Sequence, residues 1–135
     1  MKVLVLSNGE LKQKEIKNTL GDLQQIVGGY IEIPFLSKTF FEHEIDIIIN
    51  EEGKFIDGLK PEIAGVWKDT NAVLDLVYGN CIFASHDEEG NTTELNENQI
   101  SIIKEELKTE VMLYNKNEDK DFFVKVLFIW LIGWK

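Results

Sequence analysis

The chain contains no arginine: all 14 of its basic residues are lysine, set against 24 acidic ones, for a formal net charge of -10 over 135 residues. Arginine supplies bidentate recognition of phosphate and base edges, and neutralising a nucleic-acid backbone needs a basic patch. Direct nucleic-acid binding is therefore not expected. A single cysteine, Cys81, excludes an intrachain disulfide and fits a reducing setting. The first residues lack the charged-then-apolar pattern of a signal peptide, so the expected location is the cytoplasm of the cell that carries the protein. No nucleophile with its base, no metal-ligand set and no cofactor loop can be read anywhere. The expectation is a protein that is not an enzyme, with no catalytic residue and no cofactor. The most apolar stretch, Phe122 to Trp134, is interrupted by Lys125 and falls short of the ~20 apolar residues a membrane-spanning helix needs.

A hydrophobic content of 44% in a chain of this length suits one domain with one core, residues 1–135, carrying an apolar C-terminal extension over 114–135. The stretch Thr19 to Pro34 organises the reading. Thr19 caps a run in which Leu20, Leu23 and Val27 share a helical face, and Gly28 suits the left-handed position that ends a helix. Tyr30 to Ile33 then alternates as a strand toward Pro34, which belongs at a sheet edge.

Before this stretch, Lys2 to Leu6 is an apolar strand and Ser7-Asn8-Gly9 a hairpin turn. The return, about Leu11 to Lys17, is an edge strand or a helical turn, with lysines favouring the edge. Leu36 to Glu44 reads as a connection with a helical turn. Ile45 to Ile49, broken only by Asp46, suits a strand covered on both faces. Lys54 to Ile56 would return as a hairpin, with Gly53 at positive φ. Lys60 to Trp67, with Pro61 at a first helical position, reads as a short helix, and Tyr78 to Ala84 as one strand. Asn96 and Gln99 have capping-box spacing before Ile100, Ile103, Leu107 and Val111, so the last helix starts there. The expected fold is α+β: a mostly antiparallel sheet of about five or six strands packed against two to three helices, with the helices near 20–27 and 97–108 on one side.

Three blocks also carry a family resemblance. Leu23-Gln24-Gln25-Ile26-Val27-Gly28-Gly29-Tyr30-Ile31-Glu32, then Asn50-Glu51-Glu52-Gly53-Lys54, then Tyr78-Gly79-Asn80-Cys81-Ile82-Phe83 with Asp87-Glu88-Glu89-Gly90 and Leu95, resemble a family of small domains of unknown function numbered 3846. The resemblance spans roughly residues 1–108. Lys60 to Trp67 departs from the family pattern, and the chain from Tyr114 onward has no counterpart in it. The family has no assigned activity, so the resemblance assigns no functional residue. It implies carriage by phages, plasmids and conjugative elements, whose small accessory proteins often act against host defence by binding.

Each candidate for chemistry has a plainer explanation. His43 between Glu42 and Glu44, and His86 before Asp87, Glu88 and Glu89, lack metal-ligand spacing and read as solvated loop and hairpin tip. Cys81 reads as a packed small hydrophobe. Gly28-Gly29 follows a helix C-terminus, where the dipole repels phosphate, and so reads as a helix stop. What remains is binding. Tyr30, Trp67 and Lys54 are the candidate ligand-binding residues. Glu97 and Glu105 on the last helix, with Trp130 and Trp134 in the tail, are the candidate partner-binding residues. Residues 86–121 hold 11 acidic residues and 4 lysines, a net -7 of the total -10. Such a surface can compete for a basic groove on a partner.

The first expectation is accordingly a counter-defence inhibitor that binds a host protein. The alternatives are an oligomeric sponge for a small cyclic nucleotide signal and an uncharacterised small-molecule enzyme; a homo-oligomer is expected.

Overall fold

The computed structural model describes residues 1–7, 10–35, 38–53, 61–66, 73–109 and 111–113. Its frame is a set of apolar strands: β1 (Lys2–Ser7), β4 (Ile45–Asn50) and β7 (Cys81–His86). Successive side chains on a strand point to opposite faces, so an unbroken apolar run needs cover on both. Two separate clusters provide it. On one face Val3, Val5, Ile48, Ile82 and Ala84 pack with Leu23 and Val27 of helix α1 (Leu20–Val27). On the other, Leu4, Leu6, Ile45, Ile47, Ile49, Cys81 and Phe83 pack with Ile100, Ile103 and Leu107 of α3 (Glu97–Thr109) and with Phe40 of the short α2 (Lys38–Glu42).

The two long helices thus lie on opposite faces of the sheet, not on one side as the pattern suggested. Helix periodicity shows that each has an apolar stripe, but not which of two apolar sheet faces receives it.

The remaining strands are β2 (Glu10–Glu15), β3 (Ile31–Glu32), β5 (Pro61–Val66), β6 (Val73–Tyr78), β8 (Thr92–Thr93) and β9 (Val111–Leu113). The main sheet has six strands in the order β2-β1-β7-β4-β3, with β8 also paired to β7; a second sheet runs β6-β5-β9. Every pairing is antiparallel. With its three helices, the fold is the α+β arrangement expected.

The local signals hold where backbone chemistry is local. The Asp22 amide donates to Thr19 Oγ1 at 3.2 Å, and Gly28, at φ 85°, ends α1 with its own and the Gly29 amide both donating to the Gln24 carbonyl. Asn96 and Gln99 close a reciprocal box: the Gln99 amide donates to Asn96 Oδ1 at 2.8 Å and the Asn96 amide to Gln99 Oε1 at 3.0 Å.

Three expectations are corrected. Residues 61–66 form a strand, not a helix: pairing with β6 and β9 outweighs the helix-start signal, and proline is tolerated as the first residue of a strand. Tyr78 to Ala84 is not one strand, because Gly79 at φ 81° turns the chain between β6 and β7. Gly53 is not among the positive-φ glycines. It is glycine because an added Cβ would stand 2.7 Å from the Tyr78 carbonyl oxygen. The expected return strand Lys54–Ile56 lies outside the described residues.

Candidate binding cleft

β3 is only two residues long and pairs with the last two of β4, Ile31 with Asn50 and Glu32 with Ile49. The chain then departs through Ile33-Pro34-Phe35, where proline cannot extend the ladder. Among the described residues, no strand lies beside Ile45 to Ile48 on that side. The space left is a cleft of ≈ 250 Å³. Ile33, Pro34 and Phe35 form one wall, Phe40 and Phe41 of α2 another, and Ile45, Asp46, Ile47 and His86 the floor and far rim.

The cleft is apolar and partly open. Of the large hydrophobic side chains exposed to solvent, Ile33, Phe35 and Phe41 all border it, and Phe41 is 71% exposed. The Phe35 and Phe41 rings stand tilted with centroids 5.9 Å apart, a favourable aromatic geometry. Beneath them Phe40 is buried edge-on against Phe83, centroids 5.8 Å apart, which fixes α2 to the core.

The polar rim is a pair. Alternation places Asp46 and His86 on the α1 side of the sheet, and His86 Nδ1 lies 3.1 Å from Asp46 Oδ2. With the carboxylate accepting, Nδ1 carries the proton. Asp46 Oδ1 has no protein partner among the described residues. The pair can orient a donor or a cation; the described lining holds no serine, threonine, cysteine or lysine to act as a nucleophile.

The turn that feeds the cleft is held in place. Glu44 adopts φ 60°, a strained conformation for a residue with a Cβ. Gln99 Nε2 donates to the His43 carbonyl at 3.0 Å and to Ser85 Oγ at 2.9 Å, and Ser85 Oγ donates to the Glu44 carbonyl at 3.2 Å. One residue thus both caps α3 and clamps the entry to β4.

The residues singled out from sequence are dispersed. Tyr30, 73% exposed, borders a different hollow of ≈ 300 Å³ with Gln24, Gly28, Gly29, Asn50 and Glu52. Its floor is buried Asn50, which donates to the Val27 carbonyl at 3.3 Å and accepts from the Glu52 amide at 2.8 Å. A Cβ on Gly29 would come within 3.0 Å of that side chain. Lys54, Trp67, Trp130 and Trp134 lie outside the described residues.

Glu97 is engaged within the protein, accepting from Lys2 Nζ at 2.9 Å, which holds its carboxyl below the usual glutamate range and the Lys2 ammonium above its own. Glu105 is exposed on α3. Asp87, at the hairpin tip, is held below the usual aspartate range by hydrogen bonds from the Asn91 backbone and side chain and the Glu89 and Gly90 backbones. His43 is exposed, its Nδ1 2.9 Å from the Thr39 carbonyl oxygen, and Cys81 is fully buried. The sequence reading missed Ile33, Phe35, Phe41 and Asp46. Two signals pointed to three of them: Asp46 as a lone acid inside a run of isoleucines, and Phe35 and Phe41 flanking the polar residues 37–39.

Residues 1–108 match the family described as Domain of unknown function (DUF3846). The chain belongs to this family. No curated protein and no solved structure matches it. The DUF3846 match ends within α3, so every residue of the cleft belongs to the family region. Among the described residues, no helix is long and apolar enough to cross a membrane, and no three of His, Cys, Asp and Glu gather as a metal site.

Proposed function

We propose that this DUF3846 chain is a non-enzymatic binding protein that engages a partner protein through the Ile33–Phe41 cleft, a counter-defence inhibitor acting in the cytoplasm of the cell that carries it. The observation that carries the binding reading is the gathering of exposed Ile33, Phe35 and Phe41 around one hollow, since scattered exposed hydrophobics need no explanation but clustered ones mark interaction sites. The hollow, ≈ 250 Å³, is below the ~300–1,000 Å³ typical of small-molecule pockets and suits one or two side chains of a partner. The counter-defence role rests on the provenance that the family resemblance implies.

The oligomeric nucleotide sponge draws support from one observation, the exposed Tyr30 at the mouth of the second hollow. The described lining there offers Glu52 and no cation, which disfavours a phosphate.

The test is capture of partners from host lysate on the immobilised full chain, beside a Phe41→Ser variant, with the bound proteins identified. A protein retained by the unaltered chain and lost on Phe41→Ser is the expected result. Retention by both would remove the cleft from the reading. Nucleotide released on heating the purified protein, or turnover of a substrate, would replace the inhibitor with the sponge or with an enzyme.

A further inference from the structure

The cleft has a backbone side as well as an aromatic one. The Glu51 amide donates to the Tyr30 carbonyl at 2.8 Å, so Glu51 turns its peptide groups toward β3. In an antiparallel ladder those directions alternate residue by residue, so Ile49, Ile47 and Ile45 turn their N–H and C=O the same way, while Asp46 and Ile48 turn toward β7. Ile49 meets Glu32 of β3. On that side Ile47 and Ile45 meet no described strand, and both line the cleft. A row of backbone donors and acceptors without a described strand beside it, next to an apolar hollow, is a template for another strand.

We propose, building on the reading of the cleft as a partner site, that its occupant is an extended segment of a partner protein that adds as a strand along Ile45–Ile47 and carries an apolar residue next to a basic one. Alternation on the added strand sets that pairing. A side chain on the α3 side enters the hollow walled by Phe35, Phe40 and Phe41. Its neighbour in sequence points to the α1 side, where Asp46 Oδ1 has no partner among the described residues and His86 stands beside it. Charge complementarity favours lysine or arginine there: Glu32, Glu42 and Glu44 are exposed on the segments that wall and feed the cleft, with Lys38 paired to Glu42 at 3.7 Å. Backbone pairing supplies affinity, and the two side-chain positions supply selectivity.

The experiment uses the full chain as bait for a display library of random peptides, with Phe41→Ala and Asp46→Asn variants as counter-screens. The backbone amide exchange of Ile45 and Ile47 is then followed with the strongest synthetic peptide. The expected result is an enriched apolar-basic pair, binding weakened about tenfold or more by either substitution, and slowed exchange at Ile45 and Ile47 with the peptide bound. Peptides that need Phe41 but leave those two amides exchanging as before would overturn strand addition and leave the cleft as a partner site. Peptides that need Phe41 and slow the amides, yet carry no basic residue and ignore Asp46→Asn, would overturn the assigned charge. No enrichment, or binding indifferent to Phe41→Ala, would overturn both this proposal and the reading it builds on.

Discussion

The two ends of the main sheet treat the same hazard in opposite ways. At one end β2 offers an edge dressed with Glu10, Lys12, Gln13, Lys14 and Glu15, all exposed, while only Leu11 leans into the core. At the other, β3 stops after two residues and the exposed neighbours are Tyr30, Ile33, Phe35 and Phe41. Charge on an edge strand discourages pairing with another chain, and exposed apolar groups invite it. Among the described residues, one edge of the sheet is thus charged and the other apolar.

The largest disruption should come from the residue on which both ends depend. Phe83 is fully buried in the central strand β7, against Phe40 beneath the cleft and opposite Leu4 of β1. Phe83→Ala is expected to cost about 3–5 kcal/mol in urea unfolding and to loosen both edges together. Asn50→Ala should cost less, about 1–3 kcal/mol, because it leaves the Val27 carbonyl and the Glu52 amide without their partner. Its effect should be local: faster exchange of the Glu51 amide, which bonds to Tyr30, with the β1–β2 pairing unchanged. Equal loosening at β2 would show that the two ends are not independent.

Surface substitutions sharpen the contrast without touching stability. Lys12→Val with Lys14→Val strips the guard from β2, and light scattering should show self-association rising while Tm stays near its original value. Phe41→Ser should do the reverse at the other end, reducing association with any partner at unchanged Tm. If stripping β2 leaves the protein as monodisperse as before, charge is not what protects that edge.

What was legible in the sequence follows the range of the interaction concerned. Thr19, Gly28 and the Asn96–Gln99 pair act within a few residues, so their roles could be read directly. Ile45 to Ile49 announced a strand covered on both faces because its isoleucines fall on both, with Asp46 the one polar break. Residues 61–66 were misread because helix against strand was decided by β6 and β9, distant in sequence. The same limit hid the cleft. It exists because β3 stops two residues along β4, and it gathers Ile33, Phe41, Asp46 and His86 from four separate elements and loops. Gln99 could be named as a cap, but its second bond, to the His43 carbonyl, depends on α3 lying over α2.

The smallest effect expected is electrostatic, and it separates the two ends by salt. Glu97 and Asp87 both have carboxyls held below their usual range, the first by the Lys2 ammonium near the guarded edge, the second by amides at the tip beyond His86. A depressed carboxyl contributes stability that is present above its ordinary range and is lost as pH falls through the lower value of the folded state. The raised Lys2 ammonium contributes in the opposite sense, present below the ordinary lysine range and lost as pH rises through its folded value. Both carboxyls are fully exposed, so each effect is small. The Lys2–Glu97 pair is an exposed ion pair and should fade as salt shortens the Debye length to ~3 Å at 1 M, whereas the Asp87 bonds come from uncharged amides and should not. The acid limb of Tm against pH should therefore flatten slightly for Glu97→Gln at low salt only, and for Asp87→Asn at low and high salt alike. An Asp87→Asn limb that regains its slope in salt would show that the hairpin tip is held by charge and not by its amides.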